Sequence, residues 1–231
     1  MRLLLCILLA YAIHAIEITK EPTAVLMHSA VKIRPEDSIS VTGTFQTYSA
    51  RNEYHSFQIV LIGPQDIHSV SVSTLFEGTP AKLYRQAYLN VTTESDCYGK
   101  VGRWPDPLVP DVDVFFNEKR NAFPFSVPAG ENRAMWVDMF IPEDAKPGDY
   151  SGFITINGNE KVQFTLTVWD FALPSTVTNY SLMFGFSIDS AAKAHYGNDN
   201  YTAWLELTKL YQEEAMMHRV TLGDFSESDF S

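Results

Sequence analysis

The chain has 231 residues, room for one or two domains, and its 45% hydrophobic content is enough to fill a sizeable core. Its 17 basic residues stand against 28 acidic ones, a net charge of −11. That balance excludes nucleic acid as the natural partner, since displacing phosphate counterions needs clustered Lys and Arg, and it disfavours anionic membrane surfaces.

In chain order, Arg2 supplies a positive start, residues 3–12 form a short apolar run, and Ala15 offers a small residue for cleavage. This is the pattern of a secretory signal peptide over residues 1–15. The apolar run is shorter than the ~20 residues that a membrane-spanning helix needs, and no later stretch reads as a span. A buried N-terminal strand is the alternative, against which stands the abrupt change of character at Glu17. The expectation is a secreted, extracellular protein. Its mature charge is −12, because residues 1–15 carry only Arg2.

With Cys6 in the leader, Cys97 is the one cysteine of the mature chain, so stability rests on the core and not on an internal disulfide. Cys97 is either a free thiol or the partner of a cysteine in a longer form of the protein. No Cys or His cluster has zinc spacing, and no cofactor or metal is implied. Asn90, Asn179 and Asn200 each open an Asn-x-Ser/Thr triplet and are candidate glycosylation sites in a eukaryotic secretory pathway.

Residues 16–174 read as one β domain. The segments Val70-Ser71-Val72-Ser73 and 161–168 alternate strictly, which puts Val162, Phe164, Leu166 and Val168 on one face. Further strands are expected at 25–33, 39–45, 54–62, 82–91, 134–141 and 153–156, and Asn157-Gly158 signals a two-residue hairpin. The fold class is mainly β: an immunoglobulin-like antiparallel β-sandwich, with a jelly roll as runner-up. Residues 94–131 break the rhythm with Pro105, Pro107, Pro110, Pro124 and Pro128, and read as a long loop. Trp104, Phe115, Phe116, Phe123 and Phe125 within it need cover, from the sandwich or from a neighbouring domain.

After Pro174 the pattern changes. Residues 181–188 read as a strand, 201–218 as a helix and 220–222 as the start of a second strand, the opening of a parallel α/β unit over 175–231. One such unit cannot bury its own faces, so it is either the beginning of a larger domain or a decoration of the sandwich; truncation is the favoured reading.

Several segments carry a resemblance. They are Leu89-Asn90-Val91-Thr92-Thr93, Trp104-Pro105-Asp106-Pro107-Leu108-Val109-Pro110, Asn121-Ala122-Phe123-Pro124-Phe125, the run from Val127 to Arg133, and Pro147-Gly148-Asp149-Tyr150-Ser151-Gly152. Together they resemble secreted proteins related to glycoside hydrolase family 123, clearly over residues 88–174 and loosely elsewhere. The resemblance implies an N-terminal β-sandwich before a (β/α)8 barrel that hydrolyses N-acetylgalactosaminides. It implies substrate-assisted chemistry served by an adjacent Asp-Glu pair, one of the exceptions to the two-carboxylate scheme. No adjacent Asp-Glu pair occurs after the sandwich. Glu213-Glu214 falls on the expected helix, on the outer ring of a barrel, so no catalytic residue is carried over.

The remaining site expectations are modest. Ser187 and Asp189, at the end of the strand over 181–188, would stand on the rim of a barrel where substrate is met; a helix-capping turn is the plainer reading of Asp189. Trp104 is a candidate for sugar stacking or domain docking, whereas Trp136 and Trp169 sit within strand patterns. Asp106, Asp111, Asp113 and Glu118 crowd one loop, where solvated turn carboxylates are commoner than a calcium site. His218 is expected to close the helix. The expected partners are a glycan, met through the barrel, and the chain's own C-terminal domain, docked through residues 94–131. The alternative function is a non-catalytic extracellular module binding glycan or protein.

Overall fold

A computed structural model describes residues 23–40, 43–97, 99–175, 182–186, 188–197 and 200–224. The leader, Asn179 and Ser187 lie outside the described residues. The strands in chain order are β1 (Ala24–His28), β2 (Phe45–Arg51), β3 (Glu53–Ile62), β4 (Gln65–Ile67), β5 (Val70–Val72), β6 (Lys82–Val91), β7 (Gly102–Pro110), β8 (Val112–Asp113), β9 (Glu118–Lys119), β10 (Phe125–Val127), β11 (Asn132–Ile141), β12 (Gly148–Ile156) and β13 (Glu160–Ala172).

They build a β-sandwich. One sheet has the order β1-β3-β11-β6-β7 with every pairing antiparallel. The other has the order β2-β13-β12-β5, antiparallel except for the β2–β13 pair, which runs parallel. The period-two pattern holds where it is strongest: Phe164, Leu166 and Val168 of β13 are buried, with Val162 partly buried on the same face. They meet Phe57, Ile59 and Leu61 of β3 and Met135, Val137 and Met139 of β11. The Phe57 and Phe164 rings bridge the two sheets, 5.2 Å apart. The Phe164 ring also lies across Gly152 on β12, where a Cβ would come 2.2 Å from its tip, so only glycine fits beneath it.

The outer face of the five-stranded sheet is covered at its β1–β3–β11 end. There the segment after β1 lays Ile33 and Ile39 over Val25, Val60 and Ala134. This is why residues 39–44 form no strand in the described part: Ile39 serves this second small core, and the strand begins at Phe45. The buried Gln58 donates to the carbonyls of His28 and Val31 and accepts from Gln86 Nε2 at 2.7 Å, which satisfies a polar pair inside the sheet.

The interval 94–131 differs most from expectation. It contains the nine-residue strand β7, with three prolines, paired to β6 along its length with Tyr88 opposite Pro105 and Tyr84 opposite Pro110. Proline has no N–H to give a ladder, but β7 is the edge of its sheet and needs partners on one side only. The Asn157-Gly158 turn forms as expected at positive φ, 50° and 74°, but as a three-residue loop closed between Ile156 and Glu160.

The C-terminal unit comprises β14 (Leu182–Phe186), α1 (Ile188–Tyr196), α2 (Tyr201–Met217) and β15 (Thr221–Asp224), with β14 and β15 parallel. The long helix begins where expected. Asn200 caps it, accepting a hydrogen bond from the Ala203 amide at 2.9 Å. The strand ends at Phe186, two residues earlier than expected, and a helix starts at Ile188. The connection is therefore helix–helix, packed through Ala192, Ala203 and Leu207.

Candidate functional site

The C-terminal unit meets the sandwich on the outer face of the five-stranded sheet. Alternation in β3 and β11 points Tyr54 and Ser56, Asp138 and Phe140 outward, side by side in register. The Tyr54 ring lies 5.0 Å from Phe140 and 4.5 Å from His218, the residue that ends α2. The Tyr54 hydroxyl reaches Met217 Sδ at 3.8 Å, and Arg219 donates to the Asn52 and Pro174 carbonyls.

Charge is concentrated at this seam. Asp138 is buried, accepts from the Ser56 hydroxyl at 2.8 Å, and lies 3.8 Å from His218 Nε2. His218 Nε2 is also 3.1 Å from Glu214 Oε1, one helical turn back. Burial raises the Asp138 carboxyl above its ordinary range, opposed by the Ser56 hydrogen bond and by the charges of His218 and Lys82. The hydrogen bond to Glu214 raises the His218 imidazole, and its charge-pairing with Asp138 acts in the same direction. The same hydrogen bond lowers Glu214. Burial raises the Tyr54 and Tyr84 hydroxyls, helped by the nearby carboxylates. Ser56, Asp138 and His218 do not make a nucleophile relay: Asp138 sits between the other two, and His218 uses Nε2 for both carboxylates.

Beside this seam opens a cleft of about 770 Å³. One wall is the end of β7, with Leu108 and Pro110, and the β8–β9 hairpin, with Phe115 and Phe116. The facing wall is helical, with His195, Leu207, Tyr211 and Glu214. Asp113 shapes the hairpin tip, accepting from the Phe115 amide at 3.0 Å and pairing with Arg120 at 2.9 Å. Arg120 also pairs with Glu118 at 2.9 Å, so two of the crowded loop carboxylates are held by a guanidinium. Among the described residues no cluster of His, Cys, Asp and Glu is arranged to hold a metal.

The candidates named from sequence do not converge on this cleft. Trp104 lies at the opposite end of β7, under the Arg34 guanidinium at 5.0 Å, its indole N–H donating to the Lys100 carbonyl at 2.7 Å. Asp189 falls in the first turn of α1, inside the helix and not on a strand rim. Asn90 is exposed on β6, and Asn200 is exposed but its side chain caps α2. Cys97 is exposed and carries no disulfide. The loop phenylalanines divide: Phe123 and Phe125 pack on the main core, and Phe115 and Phe116 line the cleft. Sequence reasoning missed the cleft and the Asp138–His218 contact, because each joins segments far apart in the chain. The outward Asp138, set between Val137 and Met139 in an apolar strand, was the one local sign of a buried charge seeking a partner.

Residues 31–158 match the family model described as the glycoside hydrolase 123 N-terminal domain. No curated protein matches the chain in sequence. Among solved structures it is similar to a family 123 glycoside hydrolase from Clostridium perfringens, a protein of glycolipid glycan hydrolysis, with a TM-score of 0.56 and 15% identity. That match covers 84% of this chain and 36% of the other, so the chain spans 36% of the length of that enzyme. A β-glucosidase from Listeria innocua matches at a TM-score of 0.27 and 12% identity, over 65% of this chain and 16% of that one. A likeness that weak carries no argument.

Proposed function

The chain belongs to the glycoside hydrolase 123 N-terminal domain family, and on that footing we propose that it is the accessory β-sandwich of a secreted glycoside hydrolase-like protein acting on N-acetylgalactosamine-containing glycans. The observation that carries this reading is the family match over 31–158, which spans the core strands from β2 to β12. The parallel β14–β15 pair, joined through two helices, supports the idea that a (β/α) barrel begins here. A two-stranded parallel sheet leaves both its edges open, and parallel sheets are normally buried on both faces.

On this reading the sandwich supplies a scaffold. Catalysis of the substrate-assisted kind needs an Asp to orient the acetamido group and a Glu to act as acid, and the sequence holds no adjacent Asp-Glu pair. Asp138 and His218 tie the end of α2 to the sheet, and the β8–β9 hairpin faces the same helix across the cleft. The N-terminal apolar run would export the protein, and Asn90, Asn179 and Asn200 would carry glycans. Among the described residues no helix is long and apolar enough to cross a membrane.

Reading the gene beyond the codon for Ser231 tests this. The expected result is further βα repeats containing an Asp-Glu pair. A stop codon there would overturn the accessory role and favour the alternative, a free-standing extracellular binding module.

A further inference from the structure

We propose that the outer face of the four-stranded sheet carries a binding platform for a neutral glycan chain, built on Tyr48, Trp169 and Phe171. Period-two alternation turns Phe164, Leu166 and Val168 into the core, and therefore turns Thr165, Thr167 and Trp169 outward. In the parallel β2–β13 register Tyr48 stands opposite Thr167, next to Trp169. The same alternation brings Phe171 to the surface as well. Three aromatic rings thus stand in a row on solvent: Tyr48 is 46% exposed, Trp169 45% and Phe171 49%.

The geometry is that of a platform. Tyr48 and Trp169 are 6.1 Å apart and 18° from parallel, and Trp169 and Phe171 are 5.7 Å apart and 16° from parallel. The rings are stacked near-parallel, and each keeps about half of its surface on solvent. A pyranose has one apolar C–H face to lay on such a row and equatorial hydroxyls that need partners at its rim. The rim supplies them: Gln46 donates to Thr167 at 3.2 Å, and Thr167 donates to the Asp149 carboxylate at 2.6 Å.

Three features single out this occupant. The rings offer roughly 300 Å² of exposed aromatic surface, a half share of what such side chains bury. A stable protein partner needs about 800 Å² per side, so a narrow ligand fits better. The Asp149 carboxylate at the rim and the net charge of −11 disfavour an acidic glycan. The C-terminal unit docks on the opposite, five-stranded sheet through Tyr54 and Asp138, which leaves this face clear of that docking seam. The choice of a glycan rests on the reading of the chain as a glycosidase accessory domain; the ring geometry does not.

The test is calorimetric titration of the full chain with a neutral oligosaccharide ending in N-acetylgalactosamine and with its sulfated counterpart. The expected result is weak binding of the neutral glycan that Trp169→Ala and Tyr48→Ala each reduce about tenfold, with Trp169→Phe retaining most of it. Trp104→Ala should leave the affinity unchanged. Each variant must unfold at the parental temperature. Unchanged affinity in folded Trp169→Ala, preference for the sulfated glycan, or self-association abolished by Trp169→Ala would each overturn the proposal. Hydrolysis by a longer protein, with glycan binding lost in its Trp169→Ala variant, would support both readings; binding that is lost in Trp169→Ala while the longer protein shows no hydrolysis would sink only the accessory role.

Discussion

His218, the residue that ends α2, holds its Nε2 3.8 Å from Asp138 Oδ2 on the central strand pair of the five-stranded sheet. Through this contact a buried carboxylate of the sandwich is charge-paired with the C-terminal unit. A buried charge that loses its partner is costly, so the pair fixes where α2 sits more than it adds to stability.

The first prediction is a pH dependence of that docking. His218 is raised above its ordinary 6.5, so its contribution is complete below 6.5 and is lost as pH rises through the higher folded value. Glu214 is lowered from 4.5, so its contribution is present above 4.5 and is lost as pH falls through the lower folded value. Burial raises Asp138 from 3.8 while the facing charge of His218 favours its ionised form, and Lys82, Tyr54 and Tyr84 complete the set of titratable groups around it. Protection of α2 amides from hydrogen exchange, corrected for intrinsic rates, should therefore be greatest between 4.5 and 6.5 and fall above that range. His218→Gln should flatten the upper limb. Protection that climbs steadily from about pH 5.5 to about 7.5, one unit either side of a free histidine, would contradict the pairing.

The second prediction concerns Gly152 and Phe164. An alanine at 152 would drive its Cβ into the Phe164 ring, a contact of 2.2 Å if nothing moved. Gly152→Ala should cost about 1–3 kcal/mol of unfolding free energy by overpacking. Phe164→Ala should cost about 3–5 kcal/mol by leaving a cavity where the sheets meet. Because the two share one space, Phe164→Leu should recover part of the Gly152→Ala loss in denaturant titrations. Strict additivity would show that the ring is not what glycine makes room for.

The third concerns Asn157. Its side chain accepts from the His68 amide at 2.8 Å and donates to the Asp66 carbonyl at 2.7 Å, while its backbone sits at φ 50°. The β12–β13 turn thereby anchors the segment between β4 and β5. Asn157→Ala loses both the bonds and the tolerance of positive φ, and should cost about 2 kcal/mol. Asn157→Gly keeps the φ and should cost less, isolating the hydrogen bonds. An Asn157→Gly variant that unfolds at the parental temperature would mean that the bonds contribute nothing.

How much of this was legible depends on how local each feature is. The strands β3, β6, β11 and β13 and the helix α2 show their periods within one window, so they read almost to their ends. The strand β7 did not, because Pro105, Pro107 and Pro110 argue against any strand unless its edge position is known, and edge position is a property of the whole sheet. The strands β4, β8, β9 and β10 have two or three residues each, too few for a period to show. The short helix α1 buries only Ala192 within its described side chains, which is too little for an apolar stripe. The cleft could not be read at all, since Phe115 and Leu207 become neighbours only once α2 has docked on the sheet.

The most direct measurement of the central claim is turnover of an aryl N-acetyl-β-galactosaminide by the purified 231-residue chain. An accessory sandwich without the Asp-Glu pair should show no hydrolysis above background, since a positioned general acid alone is worth about 10²–10⁴-fold in rate. Hydrolysis by this chain that disappears in Glu214→Gln or Asp138→Asn, with the fold intact by circular dichroism, would contradict the account and move catalysis into the sandwich–helix seam itself.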